Sequence, residues 1–122
     1  MVVFTHMIRL AEISIKQGEF SIDNISFEVS TGKYAVLMGK TGSGKTTLLE
    51  VICGWRNPDS GKMYLGHSDI SGTKPAERGI GYVPQDGALF PTMTVREHLA
   101  FALKLRKWSE SKINARVKEL SE

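Results

Sequence analysis

Residues 39–47 read Gly39-Lys40-Thr41-Gly42-Ser43-Gly44-Lys45-Thr46-Thr47. The spacing Gly39-x-x-x-x-Gly44-Lys45-Thr46 is the P-loop, or Walker A, pattern. Its glycines let the backbone curl so that successive N–H groups point inward at phosphate oxygens. Lys45 is then in reach of the β- and γ-phosphates of a nucleotide, and the Thr46 hydroxyl is in reach of Mg²⁺. A glycine-rich turn that bound nothing would have no use for that lysine and threonine. Before the loop, Tyr34-Ala35-Val36-Leu37-Met38 has the length and apolar character of a buried strand. After it, Thr46 to Cys53 has the apolar content of a packed helix, with Gly54 as its stop. Strand, loop and helix in that order put phosphates at a helix N-terminus, where the dipole and free N–H groups favour anions.

Outward from the loop the pattern is mixed. Ile8 and Leu10, then Ile13 and Ile15, alternate with polar residues and predict a strand. Lys16-Gln17-Gly18-Glu19 reads as a turn, followed by a second, interrupted strand over Phe20–Ile22 and Ile25–Val29. Thr31-Gly32-Lys33 turns the chain into the expected P-loop strand. Asn57-Pro58-Asp59-Ser60-Gly61 is a turn and Lys62–Leu65 a short strand behind it. Ile80-Gly81-Tyr82-Val83 predicts a further strand, stopped by Pro84. Thr94-Val95-Arg96-Glu97 is a capping box that opens a helix to about Lys107. Ser109 caps another helix, with Ile113, Val117 and Leu120 on one face.

The bulk properties agree with one small α/β domain. The chain has 122 residues, 41% of them hydrophobic, and a net charge of +3 from 16 basic and 13 acidic residues. Charges of both signs are interspersed, so no nucleic-acid footprint is present, and no nucleic acid is expected as a partner. Cys53 is the single cysteine and sits among apolar residues, which reads as a small core residue rather than a nucleophile or metal ligand. No run approaches the roughly 18 apolar residues that span a bilayer. The opening Met1-Val2-Val3-Phe4-Thr5-His6 lacks the features of a signal peptide, and Met7 would serve equally as a start, since the organised pattern begins at Ile8.

Many nucleotide-binding classes share a P-loop, so its neighbours must choose among them. Two strands precede the loop, and no guanine-reading Asn/Thr-Lys-x-Asp follows it. Asp23-Asn24-Ile25-Ser26-Phe27 stands before it. After it come Pro58-Asp59-Ser60-Gly61, Glu77-Arg78-Gly79-Ile80-Gly81-Tyr82-Val83-Pro84-Gln85 and Leu89-Phe90-Pro91-Thr92-Met93-Thr94-Val95. With Gly39–Thr47, these residues resemble the ATP-binding cassette (ABC) transporter ATPases over essentially all of residues 8–122. In wording they are most similar to importer ATPases of the molybdate, tungstate, sulfate or sugar type.

The resemblance implies an α/β P-loop NTPase core with an antiparallel β edge over about residues 1–93, and the start of a helical subdomain over 94–122. It implies that residues 1–122 are the N-terminal portion of one nucleotide-binding domain, and that ATP and Mg²⁺ are the cofactors. Gly39, Lys40, Thr41, Gly42, Ser43, Gly44, Lys45, Thr46 and Thr47 would hold the nucleotide, with Thr46 and the Q-loop glutamine Gln85 at the metal. The segment from about Asp86 to Thr94 would dock on a transmembrane permease subunit, with Phe90 either an interface anchor or packed under its own loop. A second ATPase subunit would complete the site, and the assembly would sit at the cytoplasmic membrane face.

Two departures from the family pattern stand out. The slot where the family stacks adenine on an aromatic reads Lys16-Gln17-Gly18, leaving Phe20 as the nearest aromatic. The Leu-Ser-Gly-Gly-Gln signature, the Walker B carboxylates with the catalytic Glu, and the switch His have no match in residues 1–122, so no catalytic residue is assigned. His6, His67 and His98 stand in the wrong contexts to replace the last, and read as polar surface residues. Trp55 and Trp108 flank helix ends and read as packing or interface residues. The expected activity is ATP hydrolysis coupled to solute transport. The alternatives are a nucleotide-binding fragment without turnover and an inert remnant of a truncated gene.

Overall fold

The apolar positions of the first long strand change phase half-way along, and that break shapes the sheet. Ile8 and Leu10 face the core, then Ile13 and Ile15 do, with Ala11 and Glu12 between them. A single alternation would have thrown one pair to solvent. A β-bulge absorbs the extra residue: the pairing register shifts between Leu10 and Ile13, Glu12 adopts φ 54°, and its N–H donates to Ser26 Oγ at 2.8 Å. The computed structural model that shows this describes residues 1–3 and 5–122, so Phe4 of the opening segment lies outside the described residues.

The elements run β1 (Val2–Val3), β2 (Ile8–Gln17), β3 (Phe20–Val29), α1 (Lys45–Cys53), β4 (Ser60–Leu65), β5 (Ser68–Asp69), a short 3₁₀ turn over Pro75–Glu77, β6 (Gly81–Tyr82), α2 (Val95–Leu105) and α3 (Glu110–Ser121). β3, β2, β4 and β5 form an antiparallel sheet in that order. The expected interruption of β3 is a local kink at Asn24, with φ 53°, whose N–H donates to Ser14 Oγ. Helix α1 lays Leu48, Val51 and Ile52 on a core shared with Ile8, Leu10, Ile13, Ile15, Ile22, Val29, Met63 and Ile70. Those helix positions are i, i+3 and i+4, one apolar stripe, and each fully buried side chain of this size contributes about 1.5–3 kcal/mol.

Three expectations change. Tyr34–Met38 belongs to no strand among the described residues, and its side chains are open, Tyr34 at 91% and Met38 at 85% exposure. A continuous apolar strand is stable only between two others. β6, all that forms of the strand expected over Ile80–Val83, is two residues long and pairs antiparallel with β1. The opening residues are therefore organised before Ile8. Val2 and Val3 pair with Tyr82 and Gly81, the Met1 ammonium donates to Val83 O at 2.7 Å, and Val83 N–H donates to Met1 O. Third, Leu120 is half exposed, because the cluster that covers Ile113 and Val117, made of Ala100, Leu99 and Leu103, does not include it.

The chain divides into two compact units, Met1–Val83 and Pro84–Glu122. In the second, α2 and α3 pack on each other through that small cluster. No helix among the described residues is long and apolar enough to cross a membrane.

Candidate functional site

Helix α1 begins without a cap. Its N-cap is Gly44, which has no side chain to accept a hydrogen bond, and its first turn carries no acidic residue. The first helical bond runs from Leu48 N–H to Gly44 O at 2.9 Å, so the N–H groups of Lys45, Thr46 and Thr47 have no carbonyl within the helix. Together with the positive end of the helix dipole they favour an anion. Only glycine serves at position 44, with φ 91° and a β-carbon site already filled by Phe20 Cζ and by Ile22 Cδ1 at 2.7 Å. β3 thus presses directly against the loop at Gly44.

Lys45 is half-buried, and its ammonium folds back over the loop. It donates to Gly39 O and Lys40 O, both at 2.7 Å, and lies 3.4 Å from Ser43 Oγ. Lys40 O also accepts from Ser43 N–H at 3.1 Å, which closes the loop as a turn. A β-carbon at Gly39 would fall 2.6 Å from Ser43 Oγ, so the serine hydroxyl lies close over the start of the loop. No carboxylate is among the hydrogen-bond partners of Lys45. A positive charge and open amides around one concave turn fit a polyphosphate, and the exposed Thr46 hydroxyl beside them fits a hard cation held on that phosphate. Among the described residues no group of three or more His, Cys, Asp or Glu could hold a metal by itself.

Gln85 is exposed, in the turn that Gly87 N–H closes on Pro84 O. It lies in the second unit, whereas Thr46 lies in the first. In Asp86–Thr94, Leu89 is 74% and Phe90 49% exposed. Of the two expectations for Phe90, packing is present: its ring stacks on His98 at 6.0 Å and leans on Phe101 at 5.4 Å, while about half its surface stays open. His98 is more than a polar surface residue. Its Nε2 accepts from Phe90 N–H and its Nδ1 sits 2.9 Å from Thr94 O, so the neutral ring carries its proton on Nδ1 and pins the Phe90 loop to α2.

At Lys16-Gln17-Gly18 the exposed Gln17 accepts from Arg56 Nη1 at 3.1 Å, and Arg56 is in turn paired with Glu50. Phe20 is half-buried with its ring edge spent on Gly44. Cys53 is buried, and burial raises its thiol pKa, which suits a core residue and not a nucleophile. Trp55 meets Tyr82 edge-to-face at 4.7 Å, and Trp108 is 43% exposed. The residue that composition and spacing missed is Arg78, almost fully buried within a charged, glycine-flanked stretch that reads as surface.

The family model described as "ABC transporter" matches residues 22–122. The chain belongs to the ABC transporter family. Among ABC relatives, the molybdate/tungstate import ATP-binding protein of Thermococcus kodakarensis is 44% identical over 110 residues, 90% of this chain and 33% of its own length. The sulfate/thiosulfate import ATP-binding protein of Synechococcus elongatus is 41% identical over 116 residues, 94% of this chain and 34% of its own. The chain therefore spans about a third of the length of the curated relatives it matches. Among solved structures, a dimeric ATP-binding cassette in a post-hydrolysis state with ADP and Pi aligns at TM-score 0.75 and 24% identity, covering 92% of this chain and 54% of that one. A nucleotide-free cassette aligns at TM-score 0.55 and 38% identity, covering 58% of this chain and 28% of that one. The fold is that of a P-loop NTPase of the ABC type, with the antiparallel sheet β3-β2-β4-β5 as its β edge.

Proposed function

We propose that residues 1–122 form the nucleotide-binding part of an ABC transporter's ATP-binding subunit, which couples ATP binding and hydrolysis to solute transport. The observation that carries this reading is the Lys45 ammonium folded over the open N-terminus of α1, in a loop closed by Gly39, Lys40 and Ser43. Gly39 to Lys45 cradle the phosphates through backbone N–H groups and one cation, and Thr47 continues the first turn. Thr46 would hold Mg²⁺ through its hydroxyl, and Gln85 would supply a neutral amide able to orient water without adding charge beside a γ-phosphate. When bound, Mg²⁺ supplies neutralisation of the charge on the β- and γ-oxygens.

The exposed Leu89 and Phe90 suit docking of Asp86–Thr94 on a membrane permease, and a second ATPase subunit completes the assembly on the cytoplasmic face. The import names of the relatives support a solute importer. Turnover needs a positioned water and a carboxylate to receive its proton. Residues 1–122 match no Walker B pair, so this chain alone is expected not to hydrolyse MgATP.

Titration calorimetry on the 122-residue chain tests the reading. MgATP should bind, and Lys45→Ala should weaken it at least about tenfold, since a charge-assisted bond contributes roughly 1.5–3 kcal/mol. Phosphate release by the wild-type chain should equal that of Lys45→Ala. Unchanged affinity in Lys45→Ala sinks the phosphate-loop assignment, and steady Lys45-dependent release overturns the absence of turnover.

A further inference from the structure

Arg78 is 3% exposed, and no carboxylate is within its hydrogen-bond set. Its guanidinium instead spends its donors on four backbone carbonyls. Nη1 donates to Val51 O at 2.9 Å and Ile52 O at 3.0 Å, in the last turn of α1. Nε donates to Thr73 O at 2.8 Å, and Nη2 lies 3.4 Å from Ser71 O, in the segment that leaves the β4–β5 hairpin. A buried cation without a counter-charge is expensive unless something else compensates it. Here the negative end of the α1 dipole does so, on a helix whose own last turn carries no basic residue. The fit is close: Gly54, the αL stop of α1 at φ 85°, could carry no β-carbon, because that atom would lie 2.6 Å from Arg78 Nε and 2.8 Å from its Cζ.

Helix α1 has nine residues and is clamped at both ends. At its start Phe20 and Ile22 occupy the space beside Gly44; at its end Arg78 fills the space beside Gly54. A rigid helix about 13 Å long cannot be re-aimed at one end while the other stays fixed. We propose that Arg78 is a positioning residue for the phosphate loop: by gripping the C-terminal carbonyls of α1 from the Ser71–Thr73 segment, it sets the direction in which the Lys45, Thr46 and Thr47 N–H groups meet phosphate. The inference rests on the nucleotide reading above for its ligand, but the geometry it describes exists without one. Lysine in its place keeps the charge and loses the planar fork that reaches Val51, Ile52 and Thr73 together.

The test compares wild type, Arg78→Lys and Arg78→Met in the full 122-residue chain. Residue-resolved amide hydrogen exchange reads the Leu48 N–H bond to Gly44 O, the first bond of the helix. It should exchange about tenfold faster in Arg78→Met, with Arg78→Lys between the two, as expected for losing charge-assisted bonds. MgATP affinity of the folded protein should fall about tenfold in Arg78→Met and vanish as a difference in a Lys45→Ala background, because both changes act on one loop. A merely local cap would speed exchange only at Gly54 to Arg56, leave Leu48 and MgATP affinity unchanged, and overturn the proposal. So would Arg78 and Lys45 effects that simply add. If wild type binds no MgATP, the nucleotide reading fails while Leu48 exchange still decides the role of Arg78. If Arg78→Met does not fold, the exchange pattern of Arg78→Lys decides it.

Discussion

Helices α1 and α2 open in opposite ways. α2 begins with a complete capping box: Glu97 N–H donates to Thr94 Oγ1 at 3.3 Å, and the Glu97 carboxylate accepts from Thr94 N–H at 2.7 Å and from its hydroxyl at 2.8 Å. α1 begins on a bare glycine, with Lys45 where α2 has Val95 and Thr47 where α2 has Glu97. In α2 the Thr94 hydroxyl therefore closes the Glu97 N–H and the Glu97 carboxylate closes the Thr94 N–H, whereas in α1 no side chain caps the corresponding start at Gly44 and Thr47. A helix start that is finished internally has no demand for a ligand. One that is unfinished, with a cation beside it, is arranged to be finished by an anion.

The largest expected effect comes from closing the α1 start by force. Gly44→Val puts a branched side chain at φ 91° into space held by Phe20 and Ile22. The chain should lose about 2–5 kcal/mol in urea denaturation, the sum of left-handed strain and overpacking. Thr47→Glu copies the Glu97 position of α2 into α1. Its carboxylate should take the Gly44 N–H, as Glu97 takes that of Thr94, and set a negative charge at the helix start, stabilising α1 by about 0.3–1 kcal/mol while weakening MgATP at least about tenfold. Thermal unfolding read beside calorimetry checks both halves, and an unchanged MgATP affinity would break the contrast between the two helices.

Thr94→Ala makes the converse change. Removing the cap should destabilise α2 by about 1 kcal/mol, read by amide exchange along Val95–Leu105, with no change in MgATP affinity. The smallest effect follows from pH. The backbone N–H bond from Thr94, then its hydroxyl, lowers the Glu97 pKa below its ordinary value. A carboxyl with a depressed folded pKa stabilises the fold above its unfolded pKa, about 4.3, and loses that contribution as pH falls through the lower folded value. The penalty for Glu97→Gln should therefore be present at pH 6 and shrink toward pH 3. A penalty independent of pH would mean that the carboxylate's charge plays no part in the cap.

What was legible in the sequence was local. The loop spacing, the stop at Gly54 and the Thr94–Glu97 box each depend on residues within a few positions of one another, and all three appear in the structure where the residues place them. The strand over Ile8–Ile15 was read as one alternation, and the bulge between Leu10 and Ile13 that shifts its phase appeared only in the structure. The illegible parts need a partner distant in sequence. Tyr34–Met38 has the residues of a strand, but a strand exists only when another pairs with it. β1 was missed because its signal is two valines, paired eighty residues away. The His98 latch on Phe90 and the grip of Arg78 on α1 look, in sequence, like ordinary polar residues.

The sequence by itself determined that this chain carries a P-loop of the ABC type, because the pattern of glycines, lysine and threonine is a matter of spacing along the backbone. Tertiary structure alone decided what aims that loop. Phe20 and Ile22 fill the space beside Gly44, and Arg78 fills the space beside Gly54. Both constraints come from volume exclusion and hydrogen bonding between segments more than twenty residues apart. Local spacing cannot encode them, since only folding brings those atoms within reach.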